Sequence, residues 1–142
     1  MLSVAGHAIE LDTDNQIAIV RYRGAVTYDQ VPQVLEAIIA APGWTPAFDR
    51  MFVYDEALLG DIDMRWLESV AKTLSEMLLE AYGDRVSYND QVCDDPLKRS
   101  TLSVWVGLAA QGYPSNVSLF ETEQAARAWI HERRVKAGEI SV

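Results

Sequence analysis

The chain has one cysteine, two histidines and five prolines in 142 residues. A single cysteine excludes an intrachain disulfide and a cysteine-cluster zinc site. The histidines, His7 and His131, lie at opposite ends of the chain and are expected at the surface. A hydrolytic triad needs a base beside its nucleophile, and this pair offers none. No Gly-x-Gly-x-x-Gly and no phosphate-loop Gly-Lys-Ser/Thr occurs, which argues against a nucleotide enzyme. Long apolar runs are absent too. The longest, Val104 to Ala110, is broken by Gly107 and falls far short of the ~20 residues of a membrane helix. Met1 to Glu10 has neither a basic start nor a long apolar run, so no secretory signal is read there. Asn116-Val117-Ser118 matches a glycosylation acceptor and, without such a signal, is taken as chance. The expected setting is the cytoplasm of a bacterium.

Basic residues are also scarce: 12 against 21 acids, a net charge of −9. Such a surface repels phosphate backbones and anionic lipid, so neither nucleic acid nor membrane insertion is expected. The imbalance sits in residues 1–95, with 17 acids and 6 bases; residues 96–142 carry 4 acids and 6 bases. Arg133, Arg134 and Lys136 form the one basic cluster. They read as the cationic last turn of a helix, matched to its dipole.

Apolar residues make up 49% of the chain and charged residues 23%, a globular composition for one domain that needs no disulfide or metal staple. The domain is expected to span 1–142, with a core at 8–135 and a tail at 136–142. The patterning alternates strand and helix. Ala8–Leu11 and Gln16–Tyr22 form a hairpin about Asp14-Asn15, with Gly24 breaking the second strand. A helix follows, opened by Thr27 with Gln30 or by Asp29, and closed by Pro42-Gly43. Its apolar face is Val31, Val34, Leu35, Ile38 and Ile39. Met51–Tyr54 reads as a strand covered on both faces. After a polar loop, Met64–Tyr82 has the strongest helical stripe, with Gly83 as its stop. Arg85–Tyr88 is a short strand with little apolar support. Asp95 and Pro96 open a helix whose stripe is Leu97, Thr101, Val104, Trp105 and Leu108. Val117–Phe120 is the last strand, and Thr122 starts a helix with Ala125, Ala126, Trp129 and Ile130 inward. The fold class is therefore α/β: a hairpin, then repeated βα units in a mostly parallel sheet with one antiparallel edge strand.

This order, from Ala8 to Arg134, resembles the STAS domain of anti-sigma-factor antagonists, an architecture shared with lipid-binding CRAL-TRIO domains. Local cues resemble uncharacterised bacterial STAS-like proteins: Gly24 with Thr27-Tyr28-Asp29, Pro42-Gly43-Trp44, Met51 to Asp55, and Ala125-Ala126-Arg127-Ala128-Trp129-Ile130. The resemblance implies a regulatory or interaction module. The antagonists carry a phosphorylated Ser or Thr after an Asp at the start of the helix following the third strand. Here that segment reads Asp61-Ile62-Asp63-Met64-Arg65-Trp66, with no hydroxyl after the acid. The phosphate switch is therefore not carried over.

Asp55, Glu56, Asp61 and Asp63 crowd nine residues, and Asp90, Asp94 and Asp95 follow the next strand. Ligands of open parallel sheets sit beyond the carboxyl ends of the strands, where these acids are expected to gather. An ion site or a carboxylate pair is one reading. The simpler one makes Asp61, Asp63 and Asp95 helix caps and ends a strand at Asp55 and Glu56. Acidic neighbours make Cys93 an unpromising thiolate. Trp105 and Trp129 read as core. Tyr54, Met64 and Trp66 are candidates to wall a small apolar pocket, with Asp55 and Asp63 at its polar end.

Three functional readings follow. The leading one is a non-enzymatic module that binds another protein or a second copy of itself. The alternative is a carrier of a small apolar ligand or lipid. The third is an enzyme using Asp55 and Asp63. No cofactor and no resident metal is implied.

Overall fold

The computed structural model describes residues 2–4 and 6–141, with side chains from residue 6 to 141. The elements run β1 (Leu2–Val4), β2 (His7–Asp12), β3 (Ile17–Ala25), α1 (Gln30–Ala40), β4 (Asp49–Leu58), α2 (Met64–Tyr82), β5 (Ser87–Val92), α3 (Pro96–Ala109), β6 (Ser115–Phe120) and α4 (Glu123–Lys136). The strands form one sheet in sequence order, β1 to β6. β1, β2 and β3 are antiparallel neighbours; β3 to β6 are parallel. The expected order gains one strand, β1, whose three residues are too short to leave a period in the sequence.

Each helix from α1 to α3 links two adjacent parallel strands, and every step goes the same way. Right-handed crossovers therefore stack all three on one face. Leu35 of α1 packs there with Leu74, Leu78 and Tyr82 of α2, and Leu102 of α3 joins the sheet core. α4 follows the last strand, is no crossover, and packs Ala126 and Ile130 on the opposite face. The pleat sorts side chains accordingly. Ala18, Val20, Tyr22, Phe52 and Tyr54 face α1–α3, while Ile17, Ile19, Met51 and Val53 face α4. Burying one such side chain contributes roughly 1.5–3 kcal/mol.

Local signals explain the helix ends. Thr27 and Gln30 exchange a capping box: Gln30 N donates to Thr27 Oγ1 and Thr27 N to Gln30 Oε1, both at 3.3 Å. Asp63 caps α2 through Arg65 N (3.0 Å) and Trp66 N (3.3 Å). Asp95 caps α3 and Thr122 caps α4. Gly83 ends α2 at a φ of +61°, where a Cβ would be strained.

Four expectations need correction. β3 runs through Gly24 to Ala25, with a register shift between Arg21 and Arg23 where Gly24 alone would have broken it. β5 lies further along than Arg85–Tyr88, so Asp90 is inside the strand rather than beyond it. All six of its residues are buried, because it is a central strand covered on both faces. α3 turns a different stripe inward: Leu102 and Ala109 are buried while Leu97 is 81% exposed. His7 is 5% exposed, not a surface residue. It sits edge-on to Tyr22 and bonds Gln30 Nε2 through Nδ1 at 3.0 Å.

The basic cluster near the C-terminus resolves into different roles. Arg134 Nε donates to Asp49 Oδ2 (2.9 Å), and Arg85 reaches Asp49 with both terminal nitrogens (2.9 and 3.1 Å). Asp49, fully buried, also accepts from Tyr88 N at 2.9 Å. This ion cluster ties α4 to the start of β4 and to the segment before β5. Arg133 instead lies over the Trp129 ring at 5.4 Å.

Candidate functional site

The three helices on the crossover face do not close over the sheet. Between them lies a cavity of about 260 Å³. Val31 comes from α1, Leu67, Val70 and Leu74 from α2, Leu102 and Trp105 from α3, and Tyr54 from the sheet floor. Its mouth is formed by the β3–α1 turn at Thr27 and Tyr28 and the β4–α2 loop from Leu59 to Ile62. These two loops are tied together, because Asp63 N donates to the Tyr28 hydroxyl at 2.8 Å. An engineered apolar hole of roughly 150 Å³ takes up benzene, so this one suits a ligand of about ten non-hydrogen atoms. Burial drives the Tyr54 phenol well above its ordinary range, so it stays neutral.

A second, smaller cavity of about 40 Å³ adjoins the first and shares Val31, Tyr54, Leu74 and Trp105 with it. Its lining is again largely apolar, with a few polar groups from the sheet. Arg50, Asn89 and Gln91 line it, with Tyr113 beside them. Arg50 is 1% exposed. Its Nη1 donates to the Tyr82 hydroxyl (2.9 Å) and Ser87 Oγ (3.0 Å), and Nη2 to Ser115 Oγ (3.0 Å). The guanidinium also lies 5.2 Å from the Tyr82 ring centre. Every one of these partners is neutral. Among the described residues no carboxylate pairs with Arg50. Gln91 Nε2 donates to Asn89 Oδ1 at 2.6 Å, while Gln91 Oε1 is buried without a partner.

Asp90 lies on the same strand and does not supply the missing charge. It is fully buried, neither of its oxygens has a hydrogen-bond partner, and burial, reinforced by Asp49, pushes its carboxyl up to about 9. It is a neutral acid at pH 7.

The residues singled out from the sequence fall in three places. Tyr54 lines the main cavity. Asp63 caps α2, and its backbone N–H binds Tyr28 at the mouth. Met64 and Trp66 stand exposed on the first turn of α2 and do not line either cavity. Asp55 lies within β4, exposed, and accepts from Asp94 N at 3.2 Å. Asp55, Asp94 and Cys93 bring their ligand atoms within 4.8 Å of one another. Cys93 is buried, and that burial raises its thiol. The structure thus gathers Asp55 and Asp94, while Asp63 caps α2 and Asp61 lines the main cavity. Arg50 and Gln91 were not found by sequence reasoning. The available signal was a lone arginine directly before the apolar run Met51–Tyr54.

Four chains of known structure resemble this one. One is an uncharacterised protein of the DUF3478 family from Shewanella loihica PV-4, described as having a SpoIIAA-like fold. The likeness covers 92% of this chain and 99% of that one, with a TM-score of 0.51 and 17% identity. The fold is SpoIIAA-like. That agrees with the architecture implied by the STAS resemblance, and at this identity it extends to the fold alone. No family model and no curated protein matches the sequence. On this SpoIIAA-like scaffold the crossover face carries the hollow, and no helix among the described residues is long and apolar enough to cross a membrane.

Proposed function

We propose that this chain binds a small, largely apolar molecule between α1, α2, α3 and the sheet. The observation that supports it is the 260 Å³ cavity with apolar walls and a few polar groups at its mouth. Pockets of this make-up suit small organic ligands. Well-packed interiors leave few voids larger than a water, so the hollow stands out from the rest of the core. The test is a titration of the ¹⁵N-labelled protein with 1-octanol, which has nine non-hydrogen atoms. Amides of Val31, Leu74 and Trp105 shift on binding, and Val70→Phe, which fills the cavity from one wall, removes the shifts. Unmoved amides at saturating 1-octanol overturn the reading, as does binding that Val70→Phe leaves intact.

A second reading is a protein contact, with another protein or a second copy of this chain. Leu58, Met64, Trp66 and Leu97 support it. They are 66%, 44%, 56% and 81% exposed, and topology brings all four to the carboxyl-end rim of the sheet. Scattered apolar residues on a surface are common, whereas four on one rim are less so. Sedimentation of the wild type against Leu58→Asp/Trp66→Asp tests self-association through that rim. A wild type that stays monomeric at high concentration overturns the dimer form.

A further inference from the structure

We infer that the inner cavity is an anion subsite: Arg50 receives the carboxylate of a monocarboxylic acid whose apolar tail lies in the outer cavity. The inference rests on the ligand reading above and names the class of ligand.

The argument starts from charge. A guanidinium keeps its charge inside proteins. Leaving such a charge buried without a counter-charge is expensive, and buried ions are ordinarily paired. This chain follows that rule elsewhere. The buried carboxylate of Asp49, the residue before Arg50, has two arginines on it. Arg50 has only the hydroxyls of Tyr82, Ser87 and Ser115. Those hydroxyls do not depend on it. Tyr82 already donates to Phe48 O at 2.8 Å, and Ser115 to Ser87 O at 2.9 Å. They hold the guanidinium in place and leave its charge unmatched. Three of its five N–H donors are used in doing so.

The second observation is the position of that charge. It lies on the wall of a hollow of about 40 Å³, room for one compact head group. The apolar chamber adjoins it, with Val31, Tyr54, Leu74 and Trp105 lining both. Gln91, whose Oε1 is buried without a donor, lines the same hollow. A tail in the outer cavity and a carboxylate in the inner one set the ligand's charge beside Arg50. The protein's formal net charge of −9 opposes such a ligand, so a preference for an anion has to come from the interior.

The experiment compares three probes of equal chain length: octanoate, 1-octanol and octylammonium, each titrated calorimetrically and by amide shifts at pH 7. Octanoate binds about tenfold or more tighter than 1-octanol, and octylammonium binds weakest. Arg50→Met brings octanoate down to the level of 1-octanol and leaves 1-octanol within about threefold. In the wild type, ¹³C-carboxyl octanoate titrates at lower pH when bound than when free, because the guanidinium favours its ionised form. That measurement decides the matter even where Arg50→Met does not fold. Equal binding of octanoate and 1-octanol, or a bound carboxyl that titrates no lower than the free acid, overturns the anion subsite while the apolar-ligand reading stands. If none of the three probes moves the cavity amides, the ligand reading falls and the subsite with it.

Discussion

The two faces of the sheet treat buried charge in opposite ways. On the α4 face, Asp49 is enclosed by Arg85, Arg134 and the Tyr88 amide, beside the core of Ile17, Ile19, Met51 and Val53. On the crossover face, its neighbour Arg50 has a ring of hydroxyls, no counter-ion among the described residues, and an open hollow beside it. Adjacent residues of one strand point to opposite sides, so the contrast is drawn across a single peptide bond. One face pairs its buried ion; the other leaves a buried ion without a counter-charge beside a hollow.

Substitution of the two neighbours should separate the faces most sharply. Asp49→Ala strands two arginines in a buried site, and its urea midpoint should fall by an amount equivalent to about 3–5 kcal/mol. Arg50→Met removes an unpaired charge and should match or exceed the wild type in the same measurement. A large loss for Arg50→Met would break the comparison. Next in size is a pH effect on the α4 side. The folded Asp90 carboxyl holds its proton up to about pH 9, against an ordinary value of 3.8. Between those values the unfolded chain binds fewer protons than the folded one. The stability that Asp90 contributes is therefore fullest below its ordinary value and is lost as pH rises through about 9. Asp90→Asn lacks that slope, which denaturation at pH 5, 7 and 9 would reveal.

Packing should differ as well. Ala126 of α4 is fully buried against the sheet, and Ala126→Val should lose about 1–3 kcal/mol by overpacking. Val70→Phe on the hollow side should be neutral or gain up to about 1 kcal/mol, read as a rise in melting temperature. The smallest effects belong to the rim. Asp63→Ala should cost about 1 kcal/mol through the lost α2 cap, and Trp66→Ser should stay within about 0.5 kcal/mol.

What the sequence disclosed follows from which forces act locally. α2 was legible from Met64 to Tyr82 because its stripe, its Asp63 cap and its Gly83 stop agree. The Asp95 and Thr122 caps were legible for the same reason, while the start of α1 stayed open between Thr27 and Asp29. β5 was misplaced because Ser87, Asn89, Asp90 and Gln91 are polar yet buried, a result of tertiary position rather than of local preference. The α3 stripe was misphased because Trp105 and Leu102 border a hollow, so the apolar period does not mark a packed face. The candidate site was legible only at Tyr54. Arg50 looks like a charged strand end, and its burial depends on Ser87 and Ser115, residues 37 and 65 positions away.

Because strand order equals chain order, no later strand has to be threaded between two earlier ones. Each new βα unit adds to an edge that already exists, and every parallel pairing is closed across a single helix. Sequence separations between partners stay modest, which favours rapid assembly over topologies with interleaved strands. A chain emerging from the ribosome could lay down its sheet one strand at a time, with α4 arriving last to seal the far side.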